Sequence, residues 1–381
     1  MRKLVIFILA LTVSGTVSSP KADSQVTSHK ALEPVRIGIF LSLTGATADY
    51  GVSALNSFKL ATEEVNLNGG IGGRPVQLII VDDHSNTIEV APIVERLIQQ
   101  NRVHALLAEP ISTRAMAAAP VAQRSKVVMI SPAAVKPELT LQGDYIFRAC
   151  FTSPVEAEAI AKFAITKLNA KRAAMILDST NDYASVLGRF FIESFATLGG
   201  TVVNQQHYVA GDKDIAAQMS SIEASKPDII FAPGFYTTAG MVAREFKRQG
   251  IKATLIGSDG WDSPSLLKGA GETFAGVYFA NHFWIGSDDP LVRKFVRKYQ
   301  ARYKIAPDAG AATAYDAAHL LFAAINRAGS TESLAIRNAL AQTSKFQGVT
   351  GQITLDANRN ADVPVYMLRI ERGGKFSLQS Q

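Results

Sequence analysis

The stretch LLAEPISTRAMAAAPVAQRSKVVMISPAAV, residues 106–135, decides the fold class. An apolar run over 103–107 predicts a buried strand, and Glu109-Pro110-Ile111-Ser112 predicts a tight polar turn. Residues 113–124 then predict a helix, and 126–130 a second strand that closes on Ser131-Pro132-Ala133-Ala134. Ser112 stands at the helix start, where a side-chain oxygen can satisfy one of the orphan N–H groups. A helix N-terminus just beyond the carboxyl end of a buried strand is also a natural seat for an anion. Both readings of Ser112, cap and ligand contact, stay open at this level. Pro120 predicts a kink or a break, because a proline inside a helix costs about 3 kcal/mol.

Outward from this stretch the alternation continues. Toward the N-terminus, strands are predicted at 35–43 and 76–81, with helices at 52–67 and 88–100. Asn68-Gly69-Gly70-Ile71-Gly72-Gly73 runs from helix to strand, so it reads as a helix C-cap and turn; a phosphate loop would run from strand to helix. Toward the C-terminus a strand at 145–150 is followed by a second series: helices at 154–168, 184–198, 215–224 and 238–249, and strands at 172–177, 201–208, 228–232, 254–256 and 276–280. Strands alternating with helices of this length make parallel βαβ units, and two series make two doubly wound α/β lobes. Helices return at 290–303, 311–327 and 334–342, before short β segments at 346–355 and 365–370. The predicted organisation is a first lobe of residues 34–152 and 282–345 and a second of 153–281 and 346–381, joined by several crossings that favour hinge closure.

Composition sets the class. The chain has 381 residues, 47% of them hydrophobic and 19% charged, which suits a soluble globular protein with more than one core. Met1-Arg2-Lys3, the apolar run 4–13 and small residues up to 19 read as a cleavable secretory signal, with no cysteine nearby to carry a lipid. The single cysteine, Cys150, falls in a predicted strand and suits a buried, inert thiol. The net charge of +6 is scattered, which argues against a nucleic-acid partner.

No catalytic pattern stands out. The six histidines lack metal-ligand spacing, no Gly-x-Ser-x-Gly elbow occurs, and Asp82-Asp83-His84 reads as a strand-end turn. What remains is a set of loops at strand carboxyl ends: 44–50, 109–112 and 131–135 in one lobe, and 179–183, 234–237 and 257–262 in the other. The second set carries Tyr183, Phe235, Tyr236, Trp261 and the acid Asp259. An anion seat facing an acid and aromatics suits a small zwitterion, whose buried ammonium needs a paired carboxylate. Asp259 before Gly260 also fits a simple turn.

Several short segments, in order, carry a resemblance. They are Ile37-Gly38, Leu43-Thr44-Gly45, Tyr50-Gly51, the run Asn68-Gly69-Gly70-Ile71-Gly72-Gly73-Arg74-Pro75-Val76 leading to Asp82-Asp83, and Ile130-Ser131-Pro132-Ala133-Ala134. Asn181-Asp182-Tyr183-Ala184, Gly257-Ser258-Asp259-Gly260 and Ala314-Tyr315-Asp316-Ala317 follow. Together they resemble the leucine/isoleucine/valine-binding kind of type I periplasmic solute-binding proteins over nearly all of the chain. The resemblance implies a monomeric, periplasmic, non-enzymatic protein without cofactor or metal, which closes on a small-molecule ligand and delivers it to an ABC permease of the inner membrane. It puts the ligand carboxylate on Ser112 and the backbone at Val135, and the ammonium on the Ala133 carbonyl and Asp259. Tyr183 stands at a ligand-contacting tyrosine, with Tyr50 and Phe235 also at the site. Three departures bear on the ligand: Val135 in place of a threonine, Phe235 in place of a second tyrosine (Tyr236 leaves that match open by one residue), and Gly310 near a bulky aromatic position. They leave the expected ligand an amino acid with a branched, apolar or aromatic side chain. An amide, urea or aromatic acid, or a sensory role for the same closed form, is the alternative.

Overall fold

The computed structural model describes residues 32–266 and 271–381; the predicted signal segment, residues 1–19, lies outside them. The first series of units is β1 (Val35–Leu41), α1 (Ala48–Leu67), β2 (Val76–Asp82), α2 (Thr87–Gln99), β3 (Ala105–Leu107), α3 (Ser112–Arg124), β4 (Val128–Ser131), the short α4 (Glu138–Leu141) and β5 (Ile146–Arg148). Its five strands form one parallel sheet in the order β2-β1-β3-β4-β5. The second series is α5 (Ser153–Lys167), β6 (Arg172–Asp178), α6 (Asp182–Thr197), β7 (Thr201–Tyr208), α7 (Ala216–Ala224), β8 (Ile229–Ala232), α8 (Tyr236–Arg248), β9 (Thr254–Gly257) and β10 (Tyr278–Asn281). There follow α9 (Pro290–Tyr303), α10 (Ala309–Ala328), α11 (Ser333–Ala341), β11 (Phe346–Gln347), β12 (Gln352–Leu355), β13 (Ala361–Asp362), β14 (Tyr366–Ile370) and β15 (Phe376–Ser380). The second sheet runs β15-β14-β10-β9-β8-β6-β7, parallel except for the antiparallel edge made by β14 and β15.

The central strands of the first sheet are apolar on both faces because helices cover both. Ile37, Ile39 and Leu41 pack with Phe58 of α1 and Leu321 of α10, whereas Phe40 and Leu106 pack with Val94 of α2 and Ala118 of α3. This period-two division of one strand between two cores is what a doubly wound sheet requires. In each sheet the connections reverse direction beside the first strand, at β1/β3 and at β6/β8. Crevices for ligands open at the carboxyl ends of strands flanking such reversals.

Pro120 neither breaks nor divides α3, which runs unbroken from Ser112 to Arg124. The carbonyl of Met116, which a residue other than proline at 120 would bond, accepts a hydrogen bond from Gln142 Nε2 at 3.4 Å instead. That contact from outside the helix removes part of proline's cost. The tail does not pass to the second lobe as a block. Residues 346–362 form their own three-stranded sheet, tied to α10 where the Val349 and Thr350 N–H groups each donate to the Asp316 carboxylate at 2.8 Å. Asn360 and Arg359 reach Thr140 of α4. Of the tail strands, only β14 and β15 join the second sheet.

The start of α1 leans on the end of β1. A Cβ on Gly51 would stand 2.0 Å from the Ser42 carbonyl oxygen, a backbone atom that cannot step aside. Gly51→Ala is therefore expected to lower stability by about 1–3 kcal/mol as an overpacked site does, although alanine is favoured over glycine inside a helix by about 1 kcal/mol. Thermal unfolding checks this, and an unchanged or raised midpoint would contradict the close packing described.

Candidate ligand site between the lobes

In the first lobe the site rests on a buried polar cluster. Arg114, in the first turn of α3, donates from Nη2 to Glu109 Oε1 at 2.9 Å and to Thr47 Oγ1 at 2.6 Å. Glu109 Oε2 accepts the Ser42 N–H at 2.9 Å. These bonds lock the ends of β1 and β3 to the start of α3. Burial pushes the Glu109 carboxyl up to about 7 despite the neighbouring Arg114. Ser131 shapes the next turn: its Oγ donates to the Glu109 carbonyl at 3.0 Å and accepts the Ala134 N–H at 3.2 Å. Ser112 is not the cap residue itself. It is the first residue of α3, after Ile111, and its Oγ accepts the Lys136 N–H at 3.3 Å. The side chain thus joins the two first-lobe loops, and the first N–H groups of α3 are left without helical partners, as at any helix start.

In the second lobe α6 begins with Asn181 as its cap, which brings Tyr183 inward. The Tyr183 hydroxyl donates to Asp259 Oδ1, and its ring stacks on Phe235 with centroids 5.2 Å apart. His282 Nε2 lies 2.8 Å from Asp259 Oδ2, and the Asp259 N–H donates to Glu156 Oε1 of α5 at 2.9 Å. Burial pushes the Asp259 carboxyl up, but the pairing with His282 and the bond from Tyr183 outweigh it and hold it below its ordinary value. Glu156 moves the other way: burial and the adjacent Asp259 charge raise it well above the carboxylate range, so it keeps its proton. The Tyr183 phenol is likewise raised by burial and by Asp259.

The two halves meet. Tyr50, on the first turn of α1, donates its hydroxyl to the Gly260 carbonyl and packs its ring edge-on to Phe235, with centroids 5.8 Å apart. Tyr236 turns away and donates to the Ala46 carbonyl at 3.2 Å, so Phe235 is the aromatic facing the cleft. Ser263 Oγ donates to Asp49 at 2.6 Å, and Asp262 Oδ2 accepts the Ala309 N–H at the start of α10 at 2.9 Å. Between the lobes lies a cavity with about 50 Å³ open to the centres of water-sized spheres, several times the roughly 10–15 Å³ one water needs on that measure. All seven residues expected from sequence line it: Tyr50, Ser112, Ala133, Val135, Tyr183, Phe235 and Asp259. Gly310 lines it too, and a Cβ there would meet only Asp308 Oδ1 at 3.5 Å and Ser53 Cβ at 4.0 Å, so this wall has room.

Sequence reasoning missed His282 and Asp262 in the lining and Glu156 beneath it. His282 directly follows β10, so the rule that sites gather at strand carboxyl ends would have found it. Asp262 sits three residues beyond Asp259, on the same loop. The cavity's polar groups can orient and neutralise a charged ligand. Cys150 is buried, with its thiol pushed up to about 12 by burial, which leaves it unsuited as a nucleophile. Among the described residues no group of three or more His, Cys, Asp or Glu side chains is arranged to hold a metal ion.

Asp308, the cap of α10, lies beside Asp262. Burial first, and then the Asp262 charge, push its carboxyl up to about 7. In the unfolded chain an aspartate titrates near about 3.9, so between these values the native protein holds a proton that the unfolded chain has lost. Its contribution to stability therefore declines as pH rises from about 4 to about 7, by about 1.4 kcal/mol for each unit separating the two pKa values. Asn at this position keeps the cap. Melting curves of Asp308→Asn should fall less steeply than wild type across that window, and parallel pH profiles would contradict the assignment.

The comparisons agree with this architecture. A Leu/Ile/Val-binding protein of Rhizobium johnstonii (BraC3) is 27% identical over 351 residues, spanning 91% of this chain and 92% of its own. The crystal structure of the leucine-binding protein LivK from Thermotoga maritima superposes with a TM-score of 0.85 at 32% identity, covering 91% of this chain and 98% of that one. The branched-chain amino-acid transporter substrate-binding protein LivJ from Streptococcus pneumoniae, solved with isoleucine, gives 0.85 at 30% identity and covers 91% of this chain and 100% of its own. Residues 34–375 match the periplasmic binding protein family, and the chain belongs to that family, with its type I fold of two α/β lobes.

Proposed function

We propose that this protein is a periplasmic receptor that holds an α-amino acid between its lobes and passes it to an ABC permease in the inner membrane. One observation carries the reading: the cavity sets the start of α3, with Ser112 and the backbone at Ala133 and Val135, opposite the buried carboxylate of Asp259. A zwitterion fits this polarity, carboxylate toward the helix start and ammonium toward the acid. The ligand docks on the first lobe through Ser112, Ala133 and Val135; closure then brings Tyr183, Phe235 and Asp259 over it, with Tyr50 bridging the lobes. The isoleucine complex of the LivJ relative supports an amino acid, and the solute-binding character of the family supports capture over turnover. The space beside Gly310 and the apolar Val135 and Phe235 favour an apolar or aromatic side chain. The predicted secretory signal supports a periplasmic location, where a permease would receive the ligand.

A thermal-shift screen of the ligand-stripped protein against amino acids, short amides and aromatic acids tests the reading. Ligand at a hundred times its dissociation constant adds about 2.7 kcal/mol of stability. The response is expected from α-amino acids; a response confined to ligands without an ammonium would overturn it. Asp259→Asn should weaken an α-amino acid by about a hundredfold or more, since an unpaired buried ammonium costs about 3 kcal/mol or more. Calorimetric titration reads this directly, and an unchanged affinity would remove Asp259 from the ammonium site. Gly310→Leu should shift the preference toward smaller side chains, measured as the ratio of alanine to leucine affinity; an unaltered ratio would place the side chain elsewhere.

A further inference from the structure

His282 occupies a position that the ligand reading leaves unexplained. Its side chain is 4% exposed, and its ring stacks on Phe151 with centroids 3.8 Å apart and planes inclined by 21°. Nε2 sits 2.8 Å from Asp259 Oδ2. Nδ1 is buried and has no hydrogen-bond partner in the protein. This asymmetry identifies the tautomer. A proton on Nε2 is used by Asp259, whereas a proton on Nδ1 would be an N–H buried without an acceptor. The imidazole therefore donates from Nε2, with its ring held by the stack and its proton aimed at one carboxylate oxygen.

Asp259 thus receives one donor on each oxygen, Tyr183 Oη on Oδ1 and His282 Nε2 on Oδ2. A carboxylate has about four acceptor sites, so two remain for a ligand. The protein groups behind it are acidic. Glu156 of α5 approaches with Oε1 on the Asp259 N–H, and its Oε2 is buried and unpartnered. Asp262, on the same loop as Asp259, lies close to both Asp259 and His282, and the buried Cys150 thiol lies near Asp259 and Glu156. Without a donor from His282, a buried Asp259 among these groups would retain a proton and stop being a counter-ion.

We propose that His282 is a positioning residue for ligand binding: its Nε2–H keeps the Asp259 carboxylate ionised and oriented, so that the acid meets the ligand's ammonium already charged. This rests on the amino-acid reading above. It assigns specificity for an ammonium to a four-residue arrangement, Glu156, Tyr183, Asp259 and His282, rather than to Asp259 alone. It also explains how a carboxylate stays charged when it is buried.

The test uses isoleucine as probe, titrated calorimetrically into the full-length mature protein, with each variant's dissociation constant divided by that of wild type at each pH. The ratio cancels titrations the proteins share, such as that of Asp308. His282→Phe keeps an aromatic face against Phe151 but has no donor. It should bind about tenfold or more weakly near about pH 6, with the gap narrowing toward about pH 9 as Asp259 loses its retained proton. His282→Gln restores a donor near Nε2 and should stay within about threefold of wild type throughout. A Phe variant matching wild type, or one weakened by a constant factor at every pH together with the Gln variant, would overturn the role while leaving the amino-acid reading intact. A wild type that binds no α-amino acid would overturn both. Heteronuclear NMR of the imidazole nitrogens in wild type does not depend on the variants folding: a ring carrying a proton on Nε2 is expected, and a ring whose only proton is on Nδ1 would overturn the proposal.

Discussion

A carboxylate buried between two lobes has to be compensated, and the architecture around Asp259 is arranged by that requirement. The acid sits on the loop after β9, takes donors from α6 and from the end of β10, and presents its backbone N–H to Glu156 of α5. Three elements of the second lobe therefore converge on one side chain, and their convergence fixes where that lobe's face of the cleft lies. The first lobe answers with the opposite polarity. Its contribution is the start of α3, the turn Ser131-Pro132-Ala133-Ala134 and the Ser112 hydroxyl, all anchored by the Arg114–Glu109 cluster below them. Each face is built on its own sheet's loops and helices.

Further contacts join the two sides around the cavity. Tyr50 reaches Gly260, Ser263 reaches Asp49, and Asp262 accepts the first N–H of α10. These bonds lie around the cavity and close it over whatever it contains. Asp262 meets Asp308 there, and burial first, with the Asp262 charge second, raises the Asp308 carboxyl. A ligand's ammonium placed near Asp259 adds positive charge to the same region.

Much of this was legible in the residues themselves. Alternating apolar strands and helices of ten to fifteen residues state a doubly wound fold without reference to contacts. The loops at strand carboxyl ends, together with the resemblance to the solute-binding family, then pointed to seven residues that line the cavity. What stayed hidden depended on partners distant in sequence. Pro120 reads as a helix breaker until Gln142, 22 residues later, is seen to take the orphaned Met116 carbonyl. The tail reads as one β unit until Asp316 is seen to collect the N–H groups of Val349 and Thr350. His282 was passed over because the histidines were scanned for spacing against one another. Its significance lies in Asp259, 23 residues away, and in the stacking of Phe151. Local pattern specifies elements, whereas buried polar partners are set by the tertiary fold.

The most direct measurement of the central claim is a crystal structure of the protein grown with isoleucine. The account predicts one molecule between the lobes, its carboxylate on the first N–H groups of α3, Ser112 and the Val135 backbone. Its ammonium would lie within hydrogen-bonding distance of Asp259 and the Ala133 carbonyl. A ligand bound outside this cavity, or one lying in it with its carboxylate turned toward Asp259, would contradict the account.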